Sequence, residues 1–263
     1  MRNSQLPFRL TPVIKVLLIA NFIVFVVQHT SDQYMNGNFI GIFGLIPSRV
    51  VFDFFVWQPI TYMFLHGDVS HLVLNMLMLL FIGSELEALW GPKKFLTYYF
   101  VCGVSAGVVY LLMQVFISGG LGVPMVGASG GIFGLLTAYG ILFSERQLLF
   151  MMLFPLKAKQ FVWLLAGIEF MTLAFSRSGG LSSVAHLTGM GAGFLYLWGR
   201  TWYLAKMRLG RGVGHGPSWL KKAKPLKSKN KKKRKSHLSL VVDNDLDSFD
   251  QSEDSDSGPK TWH

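Results

Sequence analysis

The sequence predicts an all-α membrane protein, a bundle of six transmembrane helices followed by a disordered cytoplasmic C-terminal tail. Of its 263 residues, 51% are apolar and only 15% are charged, and the mean hydropathy is +0.40. In a soluble globular protein about a quarter of the residues are charged. The apolar residues also occur in long runs, whereas the charged residues are concentrated near the C-terminal end. This composition excludes an ordinary water-soluble domain.

Six segments have the composition of membrane-spanning helices, which need about 20 mostly apolar residues. The first is interpreted as a retained span rather than a signal peptide, because no small-x-small cleavage site follows it and five further spans come after it. The apolar stretch "LLFMMLFPLKAKQ" contains Pro155, Lys157 and Lys159 and is interpreted as an interfacial connection. The six predicted spans are Leu10–Gln28, His71–Leu89, Phe95–Ile117, Val126–Phe143, Phe161–Phe175 and Ala185–Leu204.

The distribution of positive charge predicts the orientation, because cytoplasmic segments of membrane proteins are enriched in Lys and Arg. With six spans, both termini lie on the same side. The opposite segments carry only Arg49 and Arg177. Both termini are therefore predicted to be cytoplasmic. The basic residues on that side, apart from the C-terminal tail, are Arg2, Arg9, Lys93, Lys94, Arg146, Lys157 and Lys159.

The chain divides into a short cytoplasmic N-terminus (1–9), a membrane domain (10–206) and a tail (207–263) that is basic over 207–235 and acidic over 236–263. Blocks of like charge do not fold alone, so the tail is predicted to be disordered. A basic run beside a membrane helix is attracted to anionic lipid head groups. Nucleic-acid binding is not predicted, because no aromatic residues are interspersed with the lysines.

Polar residues inside or beside membrane spans are the first candidates for function. Since the chain enters from the cytoplasm, the even-numbered spans all begin toward the outer face, and the candidates gather there. The short distance from Ser129 to the charged "SERQ" also predicts that the fourth helix begins below the outer surface, in a wet cavity. The candidates at the starts of spans two, four and six are His66, His71, Asn75, Ser129 and His186.

The glycines near Ser129 and His186 predict a close contact between spans four and six. Gly127 and Gly131 are four residues apart, as are Gly189 and Gly193, and such spacing lets membrane helices approach closely. The contact would bring His186, one turn before Gly189, to Ser129.

A serine becomes a strong nucleophile when a base takes its proton, and His186 could be that base. His71 and Asn75, which share one helix face, could stabilise the oxyanion. The match of "GASGG" to the nucleophile elbow of soluble hydrolases is rejected, because no strand precedes it and the only acids between Ser129 and His186 in the chain, Glu145 and Glu169, are placed on or beyond the inner half of the membrane.

Other chemistry has weaker support. A zinc site formed by the three histidines is conceivable, but the H-E-x-x-H motif is absent, and no metal or cofactor is predicted. Cys102, the only cysteine, lies in an apolar run and is interpreted as buried packing. Glu169, in the middle of the fifth span, is expected to pair with a neighbouring helix, although the sequence does not identify the partner.

Taken together, these motifs resemble the rhomboid intramembrane serine proteases, from about Trp57 to Tyr196. The shared blocks, in the family's order, are "HGDVSHLVLN", "GSELEALWG", "GASGGIFG" and "AHLTGMGAG". The resemblance implies a basic six-span bacterial-type bundle in the plasma (inner) membrane, with an active site that opens to the outer, periplasmic or extracellular, side. It implies an intramembrane serine endopeptidase that cleaves transmembrane protein substrates.

The resemblance also implies roles for individual residues. Ser129 would be the nucleophile and His186 the general base of a dyad without an acid. His71, Asn75 and the Ser129 amide would form the oxyanion hole, with Gly127 beside them. The supporting residues would be His66 near the cavity, Glu87 as a structural acid, Phe133 against the catalytic histidine, and Trp57 in the first outer loop.

Two positions depart from the family's pattern. Trp57 is followed by Gln58 where the family often has arginine, and Phe133 stands where a tyrosine often stacks on the histidine. Two alternatives stay open: a catalytically inactive rhomboid-like binder or chaperone, and a channel or transporter. Retention of both Ser129 and His186 weighs against the first, and the lack of internal repeats weighs against the second.

Overall fold

The computed structural model describes residues 10–150, 154–176 and 180–210, with the side chains of 149–150, 154 and 208–210 excepted, and this part of the chain is mostly helical. In chain order, the helices are α1 (Pro12–Tyr34), α2 (Phe39–Phe43), α3 (Pro47–Phe52), α4 (Gln58–Thr61), α5 (Val69–Met78), α6 (Ser84–Trp90), α7 (Pro92–Met113), α8 (Ser129–Leu142), α9 (Ala158–Phe175) and α10 (Gly180–Gly210). A 3₁₀ turn (Tyr62–Phe64) follows α4, and π turns join α5 to α6 (Leu79–Gly83) and extend α7 (Gln114–Ser118).

Four helical segments of the described part are long and apolar enough to cross a membrane: α1, the continuous Val69–Trp90, the continuous Pro92–Ser118, and α9. Helix α8 is also apolar but has only 14 residues. At 1.5 Å per residue it extends about 21 Å, less than the ~30 Å hydrocarbon core of a bilayer. The expected short fourth helix is therefore present. The chain is a multi-pass membrane protein.

The ends of the chain differ in part from the predicted domain limits. Helix α10 has 31 residues and continues to Gly210, beyond the predicted boundary at 206. The predicted tail from residue 211 onward, and the N-terminal residues 1–9, lie outside the described residues.

The prediction of an all-α fold is wrong at one connection. Strands β1 (Gln147–Phe150) and β2 (Phe154–Lys157) form an antiparallel pair between α8 and α9. In this register Leu148 lies opposite Leu156. Pro155 cannot donate a backbone hydrogen bond, which a strand tolerates at the edge of a sheet, and a two-stranded sheet has only edges. The segment predicted to be an interfacial connection thus contains an antiparallel strand pair.

Helix α8 lies at the centre of the bundle and packs against α7, α9 and α10. Ten of its 14 residues are buried. Glycines allow this density, because a methyl group added at Gly134 would come 2.4 Å from the Cys102 sulfur of α7, and one added at Gly131 would come 2.6 Å from the Tyr99 ring. Cys102 is itself fully buried, as expected.

The close contact between α8 and α10 is present, but on a different face of α8 from the one predicted. A methyl group at Gly189 would come 2.1 Å from the Gly130 carbonyl oxygen, and one at Gly193 would come 3.1 Å from the Gly134 carbonyl oxygen. The α8 residues that face α10 are thus Gly130 and Gly134. Gly131 faces α7 instead, and Gly127 precedes the helix. The error arises because glycines lie on several faces of α8, so spacing alone does not select one.

The first long loop is folded against the segment that leads into α8. Gln58 is fully buried, its side-chain oxygen accepts from the Ile46 amide (2.9 Å), and its nitrogen donates to the Gly41 carbonyl (3.1 Å). A backbone bridge then joins Leu45 to Met125, four residues before Ser129. Gln58 thus orders the loop at the position where the family often has arginine.

Candidate active site

Ser129 and His186 are in hydrogen-bonding contact. Ser129 is the first residue of α8, and His186 lies in the second turn of α10. The His186 Nε2 atom is 2.8 Å from the Ser129 Oγ atom, across 57 residues of sequence. Both residues are partly buried. The α8–α10 glycine contact begins at Gly130, directly after Ser129, and at Gly189, one turn after His186, which explains how the two side chains approach.

The other ring nitrogen of His186 contacts an acid. The His186 Nδ1 atom is 2.9 Å from the Glu169 Oε1 atom, and the Ser183 hydroxyl bonds to the same carboxylate. The expectation that Glu169 lies toward the inner half, away from Ser129, is therefore wrong. The expected pairing with a neighbouring helix is present, and the partner is His186. The contacts therefore link Ser129, His186 and Glu169, in place of the Ser–His dyad without an acid that the resemblance implies.

Phe133 packs on the face of the His186 ring. The two rings are parallel within 7°, with centroids 4.2 Å apart. Phe133 is four residues after Ser129, so it lies one turn along α8 on nearly the same face. The ring stacking that the resemblance implies is therefore present with phenylalanine in place of tyrosine.

A cavity of about 210 Å³ opens at the serine. His71 and Gly127 belong to its wall. Gly127 has a φ of +122°, which residues with side chains rarely adopt, and a methyl group there would come 2.7 Å from the His71 Nε2 atom. Only glycine fits. The residues that line the cavity are Tyr62, His71, Met125, Val126, Gly127, Ser129, Gly130, Ser182, Ala185 and His186.

Asn75 and His66 are neighbours of His71 that do not line the cavity. Asn75 is one turn after His71 on α5, is 6% exposed and does not line the cavity. Its side-chain amide nitrogen has no hydrogen-bond partner among the described residues, so it is a free donor. His66 is fully buried, with its ring edge-on to the His71 ring at 5.0 Å. Burial, with a further contribution from His71, lowers the pKa of His66 to about 4, so this imidazole is neutral.

Two of the predicted supporting residues lie away from the cavity. Glu87 is 2% exposed and accepts hydrogen bonds from the Val13 and Ile14 amides, both 3.0 Å, and from the Thr11 hydroxyl. It therefore caps the N-terminus of α1, where amide groups lack partners within the helix. Trp57 donates from its ring nitrogen to the Ile42 carbonyl (2.8 Å) and holds the first loop.

Tyr62 is a cavity residue that sequence reasoning missed. Its backbone carbonyl accepts from the Gly127 amide (2.9 Å), and its hydroxyl donates to the Gly103 carbonyl (2.7 Å). Tyr62 thereby connects Gly127 to α7. A single tyrosine in a short 3₁₀ turn carries no spacing signal that would have identified it.

These contacts define what the site can do chemically. An ionised carboxylate only accepts hydrogen bonds, so a neutral His186 that bonds to it has its proton on the Nδ1 atom, and the Nε2 atom can then accept from Ser129. The arrangement is a hydroxyl, a base aligned to deprotonate it, and a helix N-terminus where negative charge is favoured. Within the residues described, no group of three or more His, Cys, Asp or Glu side chains could hold a metal ion.

The comparisons with known proteins identify the family of the chain. A family model described as the rhomboid domain matches residues 53–203. The chain is 30% identical over 148 residues to "Rhomboid protein 1, mitochondrial" of Saccharomyces cerevisiae, covering 54% of this chain and 40% of that protein. It is 40% identical over 62 residues to "Rhomboid-like protease 3" of Toxoplasma gondii, covering 24% of each chain.

A third relative, "Rhomboid protease GluP" of Bacillus subtilis, is 32% identical over 82 residues, which cover 31% of this chain and 15% of that protein. The chain thus spans less than half the length of each of these three curated relatives. Because the family model matches more than half of the chain, the protein belongs to the rhomboid family.

Proposed function

We propose that this protein is an intramembrane serine endopeptidase that cleaves peptide bonds in or near transmembrane segments of other membrane proteins. The observation that carries the proposal is the 2.8 Å contact between the His186 Nε2 atom and the Ser129 Oγ atom at the wall of a cavity. Membership in a family with relatives named as proteases supports it.

In the proposed reaction His186 takes the proton of the Ser129 hydroxyl while the oxygen attacks the scissile carbonyl carbon. The tetrahedral oxyanion is stabilised by the Ser129 amide at the N-terminus of α8 and by His71 at the cavity wall, and the Asn75 amide, one turn after His71, is the next donor in reach of the site. His186 then gives its proton to the leaving amine, and an acyl-enzyme remains. Water, activated by His186, hydrolyses the ester and restores the serine.

The second candidate is an inactive rhomboid-like binder or chaperone. That function needs neither a nucleophile nor a base, so it offers no reason for Ser129 and His186 to be in contact.

For the cellular setting, we propose that α8 and α10 complete six membrane passes in the plasma (inner) membrane, with both termini in the cytoplasm. The cavity would then open to the outer side, since Ser129, His71 and His186 all lie near the N-terminal ends of even-numbered passes. The basic segment 207–235 would contact anionic lipid on the cytoplasmic side. The substrates are transmembrane proteins.

The test is active-site labelling with a fluorophosphonate, together with cleavage of a transmembrane reporter substrate by the purified protein. Ser129→Ala should abolish labelling and lower the cleavage rate by at least ~10³-fold, because the attacking oxygen is lost. The matched control is Ser105→Ala on α7, which removes a hydroxyl outside the cavity and should retain both activities. Undiminished labelling or cleavage by Ser129→Ala would contradict the proposal.

A further inference from the structure

Helix α9 carries one acid, Glu169. Among the described residues of α9, only Ala158 is buried. Glu169 itself is 16% exposed. A carboxylate in a membrane helix is costly unless it is paired. Its partners here, the His186 imidazole and the Ser183 hydroxyl, both belong to α10.

We propose that Glu169 is a positioning residue for catalysis, whose carboxylate holds the Nδ1 proton of His186 and so keeps the Nε2 atom directed at Ser129. The proposal rests on the protease function above. A neutral imidazole has two tautomers, and only the one protonated at the Nδ1 atom can accept a proton from the serine. The 2.9 Å contact selects that tautomer.

The carboxylate has a second effect when His186 takes up the proton. The imidazolium formed in the transition state is positive, and a negative carboxylate at hydrogen-bond distance stabilises it in surroundings of low dielectric constant. An uncharged acceptor at the same place would still orient the ring but would not supply this charge. The site is therefore a Ser129–His186–Glu169 triad supplied by α8, α10 and α9.

A purely structural role is the competing explanation, since the same contact attaches α9 to α10. The two roles predict different results for Glu169→Gln, which keeps the shape and an acceptor oxygen but removes the charge. A structural tie survives this change, with normal turnover. A positioning role does not, because the imidazolium loses its counter-charge.

The experiment measures kcat, KM and the fluorophosphonate labelling rate for Glu169→Gln and Glu169→Asp. We expect Glu169→Gln to lower kcat by about 10²-fold while KM stays within about twofold. Glu169→Asp restores the charge, so its kcat should be at least about tenfold higher than that of Glu169→Gln. The control is Glu145→Gln, the other acid between Ser129 and His186 in sequence, which pairs with Lys157 and Lys159 and should match the wild type.

Rescue by Glu169→Asp gives a readout that a tie between helices would not produce. The described polar groups that bear on the His186 ring are Ser129 from α8, Glu169 from α9 with Ser183 beside it, and His71 from α5. Glu169 is the one acid in this set, so no other group in it can replace the charge that Glu169→Gln removes. Wild-type kcat for Glu169→Gln would overturn the positioning role.

Failure of this inference is distinguishable from failure of the proposed function. If the wild-type protein is labelled at Ser129 and Glu169→Gln is labelled and turns over equally well, Glu169 is only a tie between helices. If the wild type is not labelled at Ser129 at all, the protease proposal fails, and the positioning role fails with it. A loss confined to KM would also exclude the positioning role.

Discussion

At the scale of single residues, Gly127 shows how closely the site is fitted. Its φ of +122° and its approach to His71 leave no room for a side chain. Gly127→Ala should cost about 1–3 kcal/mol of stability from backbone strain and should lower kcat, because the added methyl group displaces the His71 ring. Thermal unfolding in detergent and cleavage of the reporter substrate measure both effects.

The matched control for this change is Gly122→Ala. Gly122 lies in the same connection but has no atoms near the position of an added methyl group and no positive φ. It should therefore retain both the Tm and the activity of the wild type. Equal losses for the two variants would show that the loop tolerates no change anywhere, and not that Gly127 is specially constrained.

The contact between Ser129 and His186 could be predicted because a hydroxyl and an imidazole are chemically distinctive in an apolar chain and lie at corresponding ends of predicted spans. The sequence does not identify the partner of Glu169. The pairing depends on the rotation of α9 about its axis and on its depth beside α10, and neither is encoded in residue spacing. Gln58 is a similar case, since its three hydrogen bonds to the first loop depend on a loop fold that has no periodic signal.

At the scale of helices, the contact between α8 and α10 sets the distance between the serine and the histidine. Gly189 lies one turn after His186, and an added methyl group would come 2.1 Å from the backbone oxygen of Gly130. Gly189→Ala should therefore push the helices apart, with a cost of about 1–3 kcal/mol from overpacking. Turnover should fall further than the stability loss alone explains, because the Nε2–Oγ contact lengthens.

The control for the helix contact is Gly191→Ala, two residues along the same helix. No atom lies within 4 Å of a methyl group added at Gly191, so this variant should keep the Tm and kcat of the wild type. A comparison of Tm and kcat for the two variants isolates the effect of the close approach from that of glycine replacement in a helix. Wild-type turnover by Gly189→Ala would contradict the proposed link between helix distance and catalysis.

The helices themselves were largely predictable, since long apolar runs can only be satisfied in a bilayer as helices. The contacts between the helices were not predictable. Glycines occur on several faces of α8, and spacing alone suggested Gly127 and Gly131, whereas Gly130 and Gly134 face α10. The β1–β2 hairpin was missed because a short apolar run with one proline fits a strand, a helix or an interfacial segment equally well by pattern.

At the scale of the whole molecule, polar groups gather at opposite ends of α8. Ser129 is its first residue, and His186 and Glu169 lie at the same end. Beyond its last residue, Arg146 pairs with Glu85, and Glu145 pairs with Lys157 and Lys159. Hydrogen bonding by the two lysines lowers the pKa of Glu145 to about 2, so this cluster stays ionised. Such a basic cluster is typical of the cytoplasmic side, which supports a cavity that opens outward.

The proposed orientation can be tested by cysteine accessibility in intact cells. In a Cys102→Ala background, Ser129→Cys should react with a membrane-impermeant methanethiosulfonate added from outside, because hydrolysis requires that water reach this position. Gln147→Cys, exposed at the other end of α8, should react only after the membrane is permeabilised. Leu136→Cys, at a side chain that is 1% exposed, should react in neither case. If Gln147→Cys is labelled from outside while Ser129→Cys requires permeabilisation, the proposed topology is inverted and the cavity faces the cytoplasm.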